Sequence, residues 1–228
     1  MKRLLVISFV VILVVGLTSC GWFFPPPTVD VKIGKVVIDT VPRKGFNLIE
    51  VDQTVAPRLE QLWKAGKLKL FYGYYTGGGA IEDKRAGARI EALNDLANFM
   101  QTRVKAVEDK VSGVMNQFIT DEKGKERLRS LTQSFMKRVL ELATNAEIMG
   151  ARVIAFYSFE LEGRKVYKVA MFFDPEQAWE AISLNRLYLQ EYEKIKNQAK
   201  AMGEAGQEFF EQLNKVLEEA MKNPNAQP

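Results

Sequence analysis

Apolar side chains recur in the middle of the chain at alternating spacings of four and three residues, a pattern typical of helices that pack through a narrow seam. The first seam begins after the glycines at 77–79. The second ends before Gly150, which we expect at the C′ position of the second helix. Its members are Leu93, Ala97, Met100, Val104, Val107, Val111, Val114 and Phe118, then Leu128, Leu131, Phe135, Val139, Leu142, Ala146 and Met149. A polar turn at 120–124 joins the two runs, which predicts an antiparallel helical hairpin over 80–149.

Alternation of apolar and polar residues predicts strands on both sides of this hairpin. The predicted strands are 67–75, 151–162 and 164–173, with one or two more between 29 and 52. Tyr72 and Tyr74 share one face of the first of these strands. A short helix is predicted from Ala56 to Ala65, since Pro57 can start it and Gly66 can stop it.

The start of the first hairpin helix, 80–93, is rich in small residues and has no counterpart in the shorter second helix. Because small residues allow a close approach, we expect this part to lie across the strands. The predicted fold is α+β: a small antiparallel sheet packed on a long helix, with a protruding antiparallel helical hairpin and a long C-terminal helix.

The C-terminal helix is predicted to begin at Pro175, behind the N-cap Asp174, and to be kinked or split near Gly203. Its seam includes Tyr192, Met202 and Phe209. The seam can dock on the hairpin or on a neighbouring copy, so these three residues are candidates for a partner surface.

The first twenty residues read as a targeting signal. A basic start, Lys2 and Arg3, precedes an apolar run of about 14 residues, shorter than the ~20 that a bilayer span needs. The run ends in Leu17-Thr18-Ser19-Cys20, which resembles a bacterial lipobox. The resemblance implies removal of 1–19, a diacylglycerol on the Cys20 thiol and a further acyl chain such as palmitate on its amino group. Several acyl chains make anchoring stable.

Segment 20–28 then reads as a lipid anchor followed by an aromatic cluster and a stiff proline spacer. Gly21 after the cysteine favours sorting to the outer membrane. The expected location is therefore the cell envelope, with the chain held on the membrane by its lipid.

Composition removes several kinds of chemistry. The chain has no His and one Cys, so it has no Ser-His-Asp or Cys-His machinery, no histidine metal ligand and no internal disulfide. Removing Lys2 and Arg3 with the leader lowers the 32 basic residues to 30 against 28 acidic ones. With no basic stripe among aromatics, no nucleic-acid partner is predicted. No metal or other cofactor is predicted either.

Two local motifs invite a catalytic reading. Ser134 and Lys137 match S-x-x-K, and Ser183 and Asn185 match S-x-N, but the third element of penicillin-interacting enzymes is missing. The Gly-rich segment 76–79 lacks the ending of a phosphate-binding loop, so a tight strand-to-helix turn is the better interpretation. We therefore expect no enzyme activity and no catalytic residue.

Residues 67–175 resemble a known family through three features. A strand ends in glycines, the segment from Ala88 to Ala97 follows on a long helix, and a β-hairpin ends in Gly163-Arg164-Lys165-Val166-Tyr167-Lys168-Val169. This looks like the bacterial outer-membrane lipoprotein domain of small surface antigens and flagellar basal-disk lipoproteins. The resemblance implies a structural or assembly role in the envelope. It divides the mature chain into a lipoprotein domain, 29–175, and a helical extension, 176–228.

The leading hypothesis is thus a non-enzymatic lipoprotein, anchored through Cys20, that acts in assembly by pairing with itself or another envelope protein. The alternative is a monomeric module that binds peptidoglycan or a lipid. That module would use the aromatic face of Tyr72 and Tyr74, since exposed rings on a strand can stack on a ligand.

Overall fold

The computed structural model describes residues 27–145 and 148–225. Within them the chain forms six strands and six α-helices. Their bounds are β1 (Thr28–Ile33), β2 (Val36–Pro42), β3 (Asn47–Val51), α1 (Ala56–Lys64), β4 (Leu70–Tyr75), α2 (Ile81–Phe118), α3 (Glu122–Ala143), β5 (Arg152–Leu161), β6 (Arg164–Phe172), α4 (Pro175–Ser183), α5 (Arg186–Ala201) and α6 (Glu204–Lys222). The predicted α+β class is confirmed.

A four-stranded antiparallel sheet lies at the centre, in the order β3-β5-β6-β4. Strands β1 and β2 form a separate hairpin, which with α1 covers one face of the sheet; we call β1, β2 and α1 the hairpin layer. The helices cover the other face. Because neighbouring residues of a strand point to opposite faces, Phe156 packs on the helices while Tyr157 packs on the hairpin layer.

Helix α2 crosses β4 at very short range, as the small residues of its first turns predict. Ala88 and Ala92 are fully buried, and a Cβ on Gly73 would overlap the backbone of both. Glu91 accepts a hydrogen bond from the Tyr74 N–H, which covers the outer edge of β4. The glycine in the strand and the alanines in the helix are therefore one steric unit.

Helix α2 runs antiparallel to β4 and continues past the end of the sheet. Gly87 lies against Tyr75, whereas twelve positions later the Phe99 ring contacts the tilted Phe71 ring at 5.4 Å and the Lys69 ammonium at 5.2 Å. The remaining turns, to Phe118, extend roughly 28 Å beyond this contact at 1.5 Å per residue. The predicted hairpin of α2 and α3 projects from this end.

Helices α5 and α6 close that hairpin into a four-helix bundle. Phe135 of α3 contacts Tyr188 of α5 at 5.1 Å, and Tyr192 of α5 contacts Phe210 of α6 at 5.0 Å. Helix α6 also packs on α2. Neighbouring helices run antiparallel, giving the up-down-up-down arrangement of a simple bundle. We call α3, α5, α6 and the distal half of α2 the bundle.

The sequence placed several boundaries wrongly. Helix α3 ends at Ala143, so Met149 and Gly150 lie in a turn beyond it, although Gly150 has the expected positive φ of 59°. The predicted C-terminal helix is three helices, with the expected break at Gly203 and a second break at Asn185, whose side chain caps α5. Segment 29–52 forms three strands rather than one or two.

Candidate functional site

The two predicted surface tyrosines lie side by side on the face of the sheet that bears the hairpin layer. Tyr74 pairs in register with Lys168 of β6, which in turn pairs with Tyr157 of β5. The Lys168 ammonium lies 4.3 Å from the centre of the Tyr72 ring and 4.9 Å from that of Tyr74. Tyr72 and Tyr74 share one face, as the alternation predicts, and the structure adds a cation that contacts both rings.

Strand β2 brings a carboxylate to this cation. Asp39 Oδ2 lies 2.5 Å from Lys168 Nζ and also accepts from the Tyr157 hydroxyl, while the Tyr72 hydroxyl donates to the Ile38 carbonyl. The Lys168 and Asp39 side chains are only 8% and 15% exposed. Burial first, and the Asp39 charge second, raises the pKa of Tyr72; burial, then the hydrogen bond to Asp39, raises the pKa of Tyr157.

This cluster fastens the hairpin layer to the sheet. The ammonium, the carboxylate and the hydroxyls of Tyr72 and Tyr157 are bonded within the protein. Of the two predicted surface tyrosines, only Tyr74 is exposed, at 45%, whereas Tyr72 is half-buried. What the face offers a ligand is therefore the Tyr74 ring.

The other predicted partner residues lie in the bundle. Phe209 is completely buried in its core, so its prediction as a surface residue is wrong. Tyr192 stacks on Tyr188 at 5.7 Å and is partly buried, and Met202 packs at the tip against Gly124. Of the two alternatives for this seam, it docks on the hairpin of its own chain.

Cys20 and the lipobox residues Leu17, Thr18 and Ser19 lie outside the described residues, as does Ala146 of the second seam. The description begins at Pro27, whose carbonyl accepts a hydrogen bond from the Arg43 N–H at 2.9 Å.

Two charged contacts escaped sequence reasoning. Arg58 of α1 binds Asp174 through two nitrogens and Glu176 through one. Burial alone raises the pKa of Asp174, but hydrogen bonds from Arg58 and from the first turn of α4 outweigh it and hold that pKa below its usual value. Arg103, 5% exposed, donates to the carbonyls of Ala220, Asn223 and Pro224 at the end of α6.

Three residues of the two serine motifs have hydrogen-bond partners outside the motifs or serve as a cap. The Ser134 hydroxyl donates to Glu191 at 3.3 Å, Ser183 donates to the Glu180 carbonyl, and Asn185 serves as a helix cap. The segment before α2 is a tight turn in which Asp83 accepts from the Ala80 N–H. Among the described residues, no group of three or more acidic or thiol side chains is placed to hold a metal ion.

A shallow groove of about 460 Å³ lies where α2 begins beside β5. Arg85, Arg89 and Arg152 line it together with Glu82, and Arg85 is paired with Glu50 at 2.9 Å. One of the three cations that line this groove, Arg85, is thus paired with a carboxylate of the same protein.

Compared with known proteins, the chain matches no family model, no curated protein and no solved structure. Among the described residues, no helix is long and apolar enough to cross a membrane.

Proposed function

We propose that the protein is a non-enzymatic lipoprotein of the cell envelope, anchored through Cys20, with a structural or assembly role. The observation that carries the proposal is the position of Cys20. It is the only cysteine in the chain, and it directly follows Leu17-Thr18-Ser19 at the end of a short apolar run with a basic start. The resemblance of residues 67–175 to the outer-membrane lipoprotein domain supports the same conclusion.

The architecture is compatible with a spacer or scaffold. The bundle extends from one end of the sheet, and Pro27 lies near the other end, so an anchor and a projecting element would be separated along the molecule. The buried polar groups around Asp39 and Arg103 are bonded internally, which suits a structural role. The partner in assembly would be a second copy or another envelope protein.

Replacement of Cys20 by Ser tests the anchor. In an outer-membrane bacterium that expresses the full chain, we expect wild type to incorporate a palmitate analogue and to fractionate with membranes. Cys20→Ser should do neither. A matched control, Cys20→Ser with Ser112→Cys, returns a thiol at an exposed site on α2 and should also remain unlabelled. Membrane retention and labelling of Cys20→Ser would contradict the proposal.

The exposed Tyr74 ring favours the alternative, a monomeric module that binds peptidoglycan or a lipid. Sedimentation of the purified wild-type protein and its Tyr74→Ala variant with sacculi distinguishes the binding module from the assembly role. Co-sedimentation that Tyr74→Ala abolishes would favour the binding module, and no enrichment over the supernatant would favour the assembly role.

A further inference from the structure

The described chain begins beside the turn that joins β5 to β6. The Arg43 N–H binds the Pro27 carbonyl, and the Lys44 carbonyl accepts from the Glu160 N–H at 2.7 Å. Glu160 is the next-to-last residue of β5. Two successive backbone contacts therefore connect the entry point of the chain to the tip of the β5–β6 hairpin.

Four exposed side chains surround this tip, and we call them the turn-end surface: Lys44, Leu161, Arg164 and Lys165. Leu161 is 49% exposed at the end of β5, where it pairs in register with Arg164. Glu160 and Glu162 are the acids nearby, and Glu160 is paired with Lys44 at 2.7 Å. A large exposed apolar side chain with exposed cations on both faces of the same turn matches the chemistry of an anionic bilayer surface, which offers phosphates above an apolar interior.

The length of chain between Cys20 and Pro27, the first described residue, limits how far this surface can lie from an anchored lipid. Pro27 follows Cys20 by seven residue steps, and a fully extended chain covers at most about 3.3–3.6 Å per step, or roughly 25 Å. A membrane anchor at Cys20 therefore keeps the turn-end surface within reach of the headgroups.

We propose that the turn-end surface rests on an anionic phospholipid bilayer, with Leu161 at headgroup level and Lys44, Arg164 and Lys165 on lipid phosphates. This inference rests on the proposed lipid anchor. It fixes the orientation of the molecule, since α2 starts at the same end of the sheet and leads away from it. The bundle then points away from the membrane.

Charge alone does not single out this end. The far tip of the bundle also carries cations, at Lys123, Lys125 and Arg127. That tip lies about 57 Å away along the 38 residues of α2, more than twice the reach of the tether. No large exposed apolar residue was found in α3. The distal cations therefore provide a control with the same charge.

The test uses the full lipidated protein in vesicles of phosphatidylethanolamine and phosphatidylglycerol, with phosphatidylcholine vesicles as the neutral comparison. A fluorophore is attached at Leu161→Cys or, at the far tip, at Thr120→Cys, because the Cys20 thiol is occupied in the anchored form. A lipid that carries a quencher on its headgroup reports proximity. Flotation of the vesicles reports anchoring independently.

We expect strong quenching at position 161 on anionic vesicles, reduced on neutral vesicles and by added salt, and none at position 120. Lys44→Gln/Arg164→Gln/Lys165→Gln should abolish the quenching, whereas Lys123→Gln/Lys125→Gln/Arg127→Gln should leave it unchanged. Co-flotation with equal quenching at both labels, or equal loss in both triple variants, would overturn the orientation but leave the anchor. Failure of the unsubstituted protein to float with either kind of vesicle would overturn both proposals.

Discussion

The contact of the hairpin layer with the sheet and the interior of the bundle are stabilised by different chemistry. At the hairpin layer, the contact contains a buried ion pair, Asp39–Lys168, and the Tyr157 hydroxyl donates a hydrogen bond to the same carboxylate. In the bundle, aromatic and aliphatic side chains form the core, and Arg103 is a buried cation at its base. A buried ion pair fixes position through directional bonds, whereas apolar packing contributes mainly through the area removed from water.

The largest expected effect comes from breaking the ion pair on one side only. Lys168→Met leaves the Asp39 carboxylate buried without its cation, so the free energy of unfolding should fall by about 3 kcal/mol. Urea unfolding measures it. Lys32→Met, at an exposed pair on β1, is the matched control and should change stability by less than about 0.5 kcal/mol.

The double variant Lys168→Met/Asp39→Leu sharpens this result. If the cost of the single variant is the unpaired charge, removing that charge should restore part of the lost stability, as replacement of buried pairs by apolar residues does elsewhere. A double variant less stable than Lys168→Met would instead assign the cost to packing.

The next prediction concerns Arg103, the buried cation at the base of the bundle's apolar core. Arg103→Met removes the hydrogen bonds to Ala220, Asn223 and Pro224, and we expect a loss of about 2–3 kcal/mol. Hydrogen exchange should locate the loss at the end of α6. Arg103→Lys keeps the charge without the planar fork and should recover only part. The exposed Lys105→Met is the neutral control, and equal destabilisation by both Met variants would contradict the assigned role.

The smallest effect concerns pH. The lowered pKa of Asp174 means that its ionised form stabilises the fold above the unfolded pKa, near 3.9, and that this contribution is lost as pH falls through the lower folded value. Asp174→Asn should cost about 1–2 kcal/mol at neutral pH and flatten the acid limb of the stability profile.

Asp121→Asn is the matched control for this prediction. Asp121 caps α3 through the Gly124 N–H and has no arginine partner recorded among its contacts, so an asparagine should cap almost as well. Identical acid limbs for the two variants would show that Arg58 does not stabilise the Asp174 carboxylate.

Most elements of the fold were predictable from local patterns in the sequence. Alternation predicted β4, β5 and β6, and the small residues at 80–93 predicted that the start of α2 lies across the strands. The end of α3 was missed because apolar spacing continues to Met149 after the helix has stopped at Ala143. The break before α5 had a visible signal, since Asn185 is a good N-cap residue, but it fell within an otherwise continuous seam.

The candidate site was harder to predict because its polar contacts are distant in sequence. Asp39 and Lys168 are 129 residues apart, and a lysine in an alternating strand looks like an ordinary solvent-facing residue. Only the covering of that face by the hairpin layer makes it buried. Phe209 shows the converse: a seam without an obvious partner suggested an interface, but its partner was the hairpin of the same chain.

Helix α2 packs on the sheet with its first turns and belongs to the bundle with its distal half, and this has a mechanical consequence. Between its crossing of Gly73 and its contact with α6 at Arg103, it contains neither glycine nor proline. A sideways force on the far tip of the bundle would therefore be transmitted along α2 to Ala88 and Ala92, where the helix backbone already contacts Gly73 of β4. We therefore expect the sheet and the bundle to tilt together rather than bend at a joint.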